Sequence, residues 1–341
     1  MELSGAELSR DFYETLIAPS IALRWPDLPH AAGLLGGGSE VLGLDDAMSR
    51  DHDWGLRLNL IVAPDMIDRV DAHLGDVLPE SYLGRPIRFA TTRDPHPRHR
   101  VRVEDPESFV ASRTGVVDTN ALSVRDWLSL TGQAVLEVTA GPLFVDTSGQ
   151  LSAARRALTW YPQDLWVHVV ATDWTRIAQE LPFVGRTADR GDDLGSRVVT
   201  ARLADAAMHL AHLLERRWPP YAKWAGTSLA HLPHGQEVAE PLLRALGAGD
   251  WRIREDALVD ALRSLNRLQH DAGLPTVDDP VEPFFERPYQ GVREDVVTLL
   301  EASVTDPAVR SLPRGVGSAE QWSHNVDVLV DPVRRRALPS D

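Results

Sequence analysis

The chain has no cysteine, and among its 35 basic residues the only lysine is Lys223. Without thiols there are no disulfides and no thiolate zinc sites, so carboxylate and imidazole are the side chains left to hold a metal. Cysteine-free composition fits a cytoplasmic protein. There is no apolar run of the length a bilayer requires. Met1–Tyr13 carries acids and no apolar core segment, so no signal peptide is expected there. Basic clusters are scarce too: Arg334-Arg335-Arg336 is the one run, in a chain of net charge −15. Nucleic-acid binding draws on counterion release by clustered Lys and Arg, so a nucleic-acid partner is not expected. His-Glu-x-x-His and Gly-x-Ser-x-Gly are both absent, which argues against the zinc protease site and the hydrolase elbow.

What is present begins with Gly36-Gly37-Gly38-Ser39. Eleven intervening residues lead to Asp51-His52-Asp53-Trp54 and then an apolar run, Leu56–Val62. Glycines let a backbone approach an anion without a Cβ in the way, and Ser39 is a preferred N-cap for a short helix over Glu40–Met48. Such a helix start presents free N–H groups to a phosphate. On a strand, Asp51 and Asp53 share one face roughly 6 to 7 Å apart, where two carboxylates can hold one or two Mg²⁺ ions.

The rest of the 341 residues divides by period. Residues 5–25 predict a lead-in helix interrupted near Pro19. Strands are expected over Ala32–Leu35, His52–Val62, Ile87–Ala90 and Val101–Glu104, with a helix over Asp65–Val77 between the second and third. Beyond Gly141 helical stripes take over: Leu165, Val169, Val170, Trp174, Ile177 and Leu181, then Leu203 to Leu214, then Leu258 to Leu268. The expectation is an α+β protein: an α/β sheet domain over 1–140, a mainly α-helical bundle over 141–275 and a C-terminal extension over 276–341 packed on the body.

The Gly-Ser and Asp-x-Asp segment resembles the signature of the nucleotidyltransferase superfamily with the DNA polymerase beta-like fold. His52 departs from the pattern, which usually places an apolar residue there. Leu143-Phe144-Val145-Asp146, Tyr161–Trp166, Phe183–Arg186, Gly191–Arg197 and Tyr221–Trp224 are similar to an uncharacterised bacterial group, domain of unknown function 4037. The resemblance implies a Mg²⁺-dependent nucleotidyltransferase with a two-metal site. It would move a nucleoside monophosphate, AMP favoured, from a triphosphate to a hydroxyl of a small-molecule acceptor and release pyrophosphate. Gly37, Gly38 and Ser39 would cradle phosphates, and Asp51 and Asp53 would hold metal. Such sites usually need a third carboxylate on a neighbouring strand. Glu104 is the choice by analogy, opposite the valines of Val101-Arg102-Val103, with Asp105, Glu137 and Asp146 as rivals. Alternatives are a protein-modifying enzyme of a toxin and antitoxin type, or a non-catalytic nucleotide-binding protein.

Lys223 stands out because arginine serves as the cation everywhere else. A compact ammonium suits a phosphate as a point charge, and Pro219-Pro220 place Lys223 in the first turn of a helix. The carboxylates of Gly191–Arg197 suit a helix N-terminus, while Arg197 is a further candidate for the nucleotide. His209 and His212 lie beside an apolar stripe and are expected to be packing or surface residues.

Overall fold

The structure is a computed structural model and describes residues 3–46, 48–50, 54–91 and 94–336. It divides into two compact units. The first comprises residues up to Leu122 together with Ala134–Thr159 and Asp331–Arg336, and the second comprises Ser123–Gln133 and Trp160–Val330.

In the first unit, a capping box seats the chain's opening helix. Ser4 accepts from the Glu7 backbone, and the Glu7 carboxylate reaches back to Ser4. The helix Gly5–Phe12 widens into a π-helical stretch at Tyr13–Ile17 and resumes over Ala18–Arg24. The interruption falls just ahead of Pro19, whose missing N–H cannot complete a regular ladder. The strands are β1 (Ala31–Gly33), β2 (Arg57–Ile61), β3 (Ser81–Tyr82), β4 (Arg85–Pro86), β5 (Arg88–Thr91), β6 (Asp94–Glu104) and β7 (Leu143–Asp146). Five of them form a mixed sheet in the order β5-β6-β2-β1-β7, while β3 and β4 make a small ribbon. β2 and β6 run parallel, and the β1–β2, β1–β7 and β5–β6 pairs are antiparallel.

Alternation along β2 gives the sheet two chemical faces. Leu58 and Leu60 enter a core with Ala32, Val101, Phe12, Ile17, Ile21, Val70 and Leu74, so the opening helices and the helix Ile67–Val77 cover that side. Arg57 and Asn59 point the other way. In register with them on β6 stand Arg100 and Arg102, and Glu104 pairs with Ile61.

The second unit is helical. The helices Gln163–Glu180, Asp193–Leu214 and Trp251–Asp271 bury the expected stripes, including Val169, Trp174, Leu203, Leu210, Leu258 and Leu265. Two buried indoles are satisfied: Trp174 Nε1 donates to Gln269 Oε1 at 2.6 Å and Trp166 Nε1 to the Leu213 carbonyl at 2.8 Å. A hairpin of β8 (Val281–Pro283) and β9 (Gln290–Val292) precedes the helix Glu294–Ser303. Among the described residues no helix is long and apolar enough to cross a membrane.

Candidate functional site

β1 ends at Gly33 and releases the chain into the glycine run. Leu35 N–H donates to the Asn59 side-chain oxygen at 3.3 Å, and Gly36 N–H donates to the Glu137 carbonyl at 2.8 Å. The first bond ties the loop to the polar side of the sheet, and the second ties it to a helical residue outside the sheet. Gly36 and Gly38 have φ of 83° and 136°, a region that L side chains rarely adopt. A Cβ on Gly38 would lie 2.4 Å from Arg57 Nη2 and 2.7 Å from Glu40 Oε2. The backbone there is as close to charged groups as it can come.

The expected helix over Glu40–Met48 does not form. Residues 39–43 turn instead, with Leu42 and Leu44 N–H both donating to the Ser39 carbonyl, at 3.1 and 2.9 Å. Two features redirect the chain. Glu40 is buried and accepts from Arg57 Nε at 2.7 Å, and Gly43 at φ 68° breaks any helical continuation. Ser39 therefore opens a tight turn rather than a helix.

Arg57 is a residue that pattern reading missed. Its guanidinium binds Glu40 and also donates from Nη2 to the Gly37 carbonyl at 2.8 Å, so it fixes the loop from the first residue of β2. Asn59 was missed as well. Its Nδ2 lies 3.5 Å from Glu104 Oε2, while its oxygen holds the loop, so one buried amide links Leu35 to the third-acid candidate. The signal was available as one polar residue between Leu58 and Leu60.

Glu104 closes β6, partly exposed, with Arg113 Nη2 3.6 Å from its Oε2. Arg113 is itself buried. Burial lowers its pKa, while Glu104 and Glu137 counter that fall, and its guanidinium lies over the Phe109 ring at 3.9 Å. The Glu137 carboxylate is 3.6 Å from where a Cβ on Gly37 would stand. The other two rivals are engaged elsewhere. Asp105 caps the helix Pro106–Thr114 by accepting from Ser108 N–H at 2.9 Å, and Asp146 accepts from Gly149 and Ser152 N–H at 2.8 and 2.7 Å.

Asp51 and Asp53 lie outside the described residues. Among those described, no group of three His, Asp or Glu side chains is arranged to hold a metal ion. Glu137, beside the loop, and Glu104, linked to it through Asn59, are hard oxygen ligands of the kind Mg²⁺ takes, and the Glu104 contacts at 3.5 and 3.6 Å are loose. The donor chemistry fits the ion.

Lys223 and Arg197 belong to the second unit. Lys223 is exposed in the first turn of the helix Ala222–Ala230, with Nζ 4.9 Å from the centroid of the Trp224 ring. Arg197 is exposed and donates from Nε to Asp193 at 2.7 Å. Asp192 caps the helix Asp193–Leu214 through Gly195 N–H at 2.7 Å, the structural role expected of that acidic stretch. His212 is buried against Ser228 Oγ at 3.0 Å, and desolvation lowers its pKa to about 4. His209 is more than packing. It sits between Asp173, at 2.5 Å from Nδ1, and Glu320, at 3.3 Å from Nε2. Burial opposes its charge, yet the two carboxylates prevail and raise its pKa to about 10.

No match is found among proteins of curated function. Among solved structures, the chain matches the crystal structure of a nucleotidyltransferase-like protein from Exiguobacterium sibiricum 255-15, at 14% identity and a TM-score of 0.33, over 77% of this chain and 76% of that one. Residues 127–225, a stretch that excludes the glycine loop and the paired aspartates, match the family model described as Domain of unknown function (DUF4037).

Proposed function

We propose that the chain is a Mg²⁺-dependent nucleotidyltransferase acting on a nucleoside triphosphate, ATP favoured, and a hydroxyl of a small-molecule acceptor. The observation that carries this reading is the glycine loop after β1, held by Asn59, Arg57 and Glu137 on the polar face where Glu104 ends β6. Gly37, Gly38 and Ser39 would receive the phosphates through backbone N–H groups, since a Cβ at Gly38 has no room. Asp51, Asp53 and Glu104 would hold the metal, and Glu104, whose contacts to Asn59 and Arg113 are loose, would take the proton from the acceptor hydroxyl. When bound, Mg²⁺ supplies charge neutralisation at the attacking and leaving oxygens of an in-line displacement at the α-phosphorus. Asn59 would position Glu104 and the loop together, so that one strand residue sets both ends of the site. Lys223 and Arg197 are the nucleotide-binding candidates of the second unit on their chemistry. Arg197 would have to exchange Asp193 for phosphate, whereas exposed Lys223 would leave an aromatic face.

The test incubates the chain with α-labelled triphosphates, Mg²⁺ and a panel of acceptors and follows pyrophosphate release. Transfer should require the metal and vanish in Asp51→Asn, Asp53→Asn and Glu104→Gln with the fold intact. Undiminished turnover in purified Asp51→Asn or Asp53→Asn would remove the reading. Tight triphosphate binding without turnover on any small molecule or protein would favour a non-catalytic nucleotide-binding protein, and transfer to protein alone would favour the protein-modifying alternative.

A further inference from the structure

In the second unit, a cavity of about 440 Å³ is walled by the helix Phe183–Ala188 and the turn of the β8–β9 hairpin. Arg186, Arg190 and Arg287 line it, against one acid, Asp189. None of the three arginines has an ion-pair partner among the described residues. Several other arginines of this unit, such as Arg244, Arg263, Arg293 and Arg314, are matched with acids. In a chain of net charge −15, three guanidinium groups without an acid partner around one hollow suit an anion.

The walls are fixed before any ligand arrives. Gly185 leaves a notch for the Tyr289 ring, since a Cβ there would stand 2.5 Å from Tyr289 Cδ1 and 2.6 Å from Trp251 Cζ3. Tyr289 OH donates to Asp189 Oδ2 at 2.9 Å, which engages the only acid of the lining and locks the hairpin to the helix. Arg186 lies over the Phe183 ring at 5.4 Å and the Phe284 ring at 5.9 Å, so its guanidinium has an aromatic bed but no counter-charge. Phe183 is 40% exposed. On the same turn Phe285 is 80% exposed and held at φ 55°, an uncommon conformation for a bulky residue. The exposed Phe183 ring in the lining of a cationic hollow suits the planar part of a ligand whose charged part the arginines hold.

We propose that this cavity binds a small organic anion of the aryl phosphate type, a dianion held by Arg186, Arg190 and Arg287 with its ring against Phe183. The site is independent of the transfer reaction proposed above. Titration of the full chain with phenyl phosphate and, separately, inorganic phosphate, followed by calorimetry and phosphorus NMR at low salt, tests it. Phenyl phosphate should bind saturably, more tightly than inorganic phosphate, and more weakly as salt rises. The double variant Arg186→Gln/Arg287→Gln should lose at least about tenfold in affinity for both probes, because two charge-assisted contacts go. Phe183→Ala should weaken phenyl phosphate alone. Arg267→Gln, a surface cation away from the lining, should bind as the parent does, which controls for general charge. No saturable binding in the parent, or parent-like affinity in the folded double variant, overturns the proposal. Equal binding of the two probes overturns its aromatic part.

Discussion

Glu255 offers a stability measurement whose sign and size follow from its surroundings. It lies on the helix Trp251–Asp271, buried, with Oε1 lacking any hydrogen-bond partner. Desolvation raises its pKa from 4.5 to about 7; the Gln290 backbone and Arg252 oppose the rise, and Asp256 and Asp189 add to it. The folded chain therefore binds more protons than the unfolded one between those values. Stability is full below 4.5 and is lost as pH rises through about 7. At about 1.36 kcal/mol per pH unit, the full penalty at alkaline pH is about 3 kcal/mol. Glu255→Gln keeps the shape and cannot ionise. Relative to the parent it should gain roughly 2.5 kcal/mol on going from about pH 5 to about pH 8. For a helical unit of this size that corresponds to a Tm rise of roughly 5 to 10 °C at the higher pH. Differential scanning calorimetry at both pH values reads it directly. A mutant-minus-parent Tm difference that is the same at both would refute the reasoning.

Gly38→Ala should destabilise the first unit by about 1 to 3 kcal/mol, because alanine at φ 136° is strained and its Cβ displaces the Arg57–Glu40 pair; urea unfolding measures this, and triphosphate affinity should fall with it. Asp173→Asn should cost about 3 to 5 kcal/mol at neutral pH, since it leaves the His209 imidazolium buried with one carboxylate fewer. In the parent the raised His209 pKa gives stability that is full below 6.5 and lost as pH rises through about 10, and His209→Gln should flatten that decline in thermal scans. Lys223→Ala should weaken triphosphate binding by about 1.5 to 3 kcal/mol, with Lys223→Arg restoring it in part; parent-like affinity in both would discard the residue's role.

Local chemistry set much of the chain's structure. Leucine and valine at helical spacing bury one stripe wherever they occur, which is why Leu165 to Leu181, Leu203 to Leu214 and Leu258 to Leu268 are core. Alternation told β2 and β6 apart from helices, and the absence of cysteine and the scarcity of basic runs narrowed the chemistry expected before any fold was known. The glycine run marked a place where the backbone comes close to other groups without a Cβ in the way; that Gly36 and Gly38 take positive φ there is seen only in the structure. Pairing across long separations was decided only by the tertiary structure. β7 lies beyond residue 140 yet hydrogen-bonds β1, and nothing in Leu143–Asp146 names its partner, because a strand's ladder groups are identical along every strand. The same holds for the acids. Asp105, Asp146, Glu104 and Glu137 look alike in the sequence; the first two cap backbone N–H groups, while the parallel register of β2 and β6 brings Glu104 to Asn59 and the fold brings Glu137 beside Gly37. Ser39 followed the same rule: its local preference for opening a helix was overridden by a buried ion pair between Glu40 and Arg57. That pair joins the turn to β2, seventeen residues on, and it forms only once β1 and β2 lie side by side.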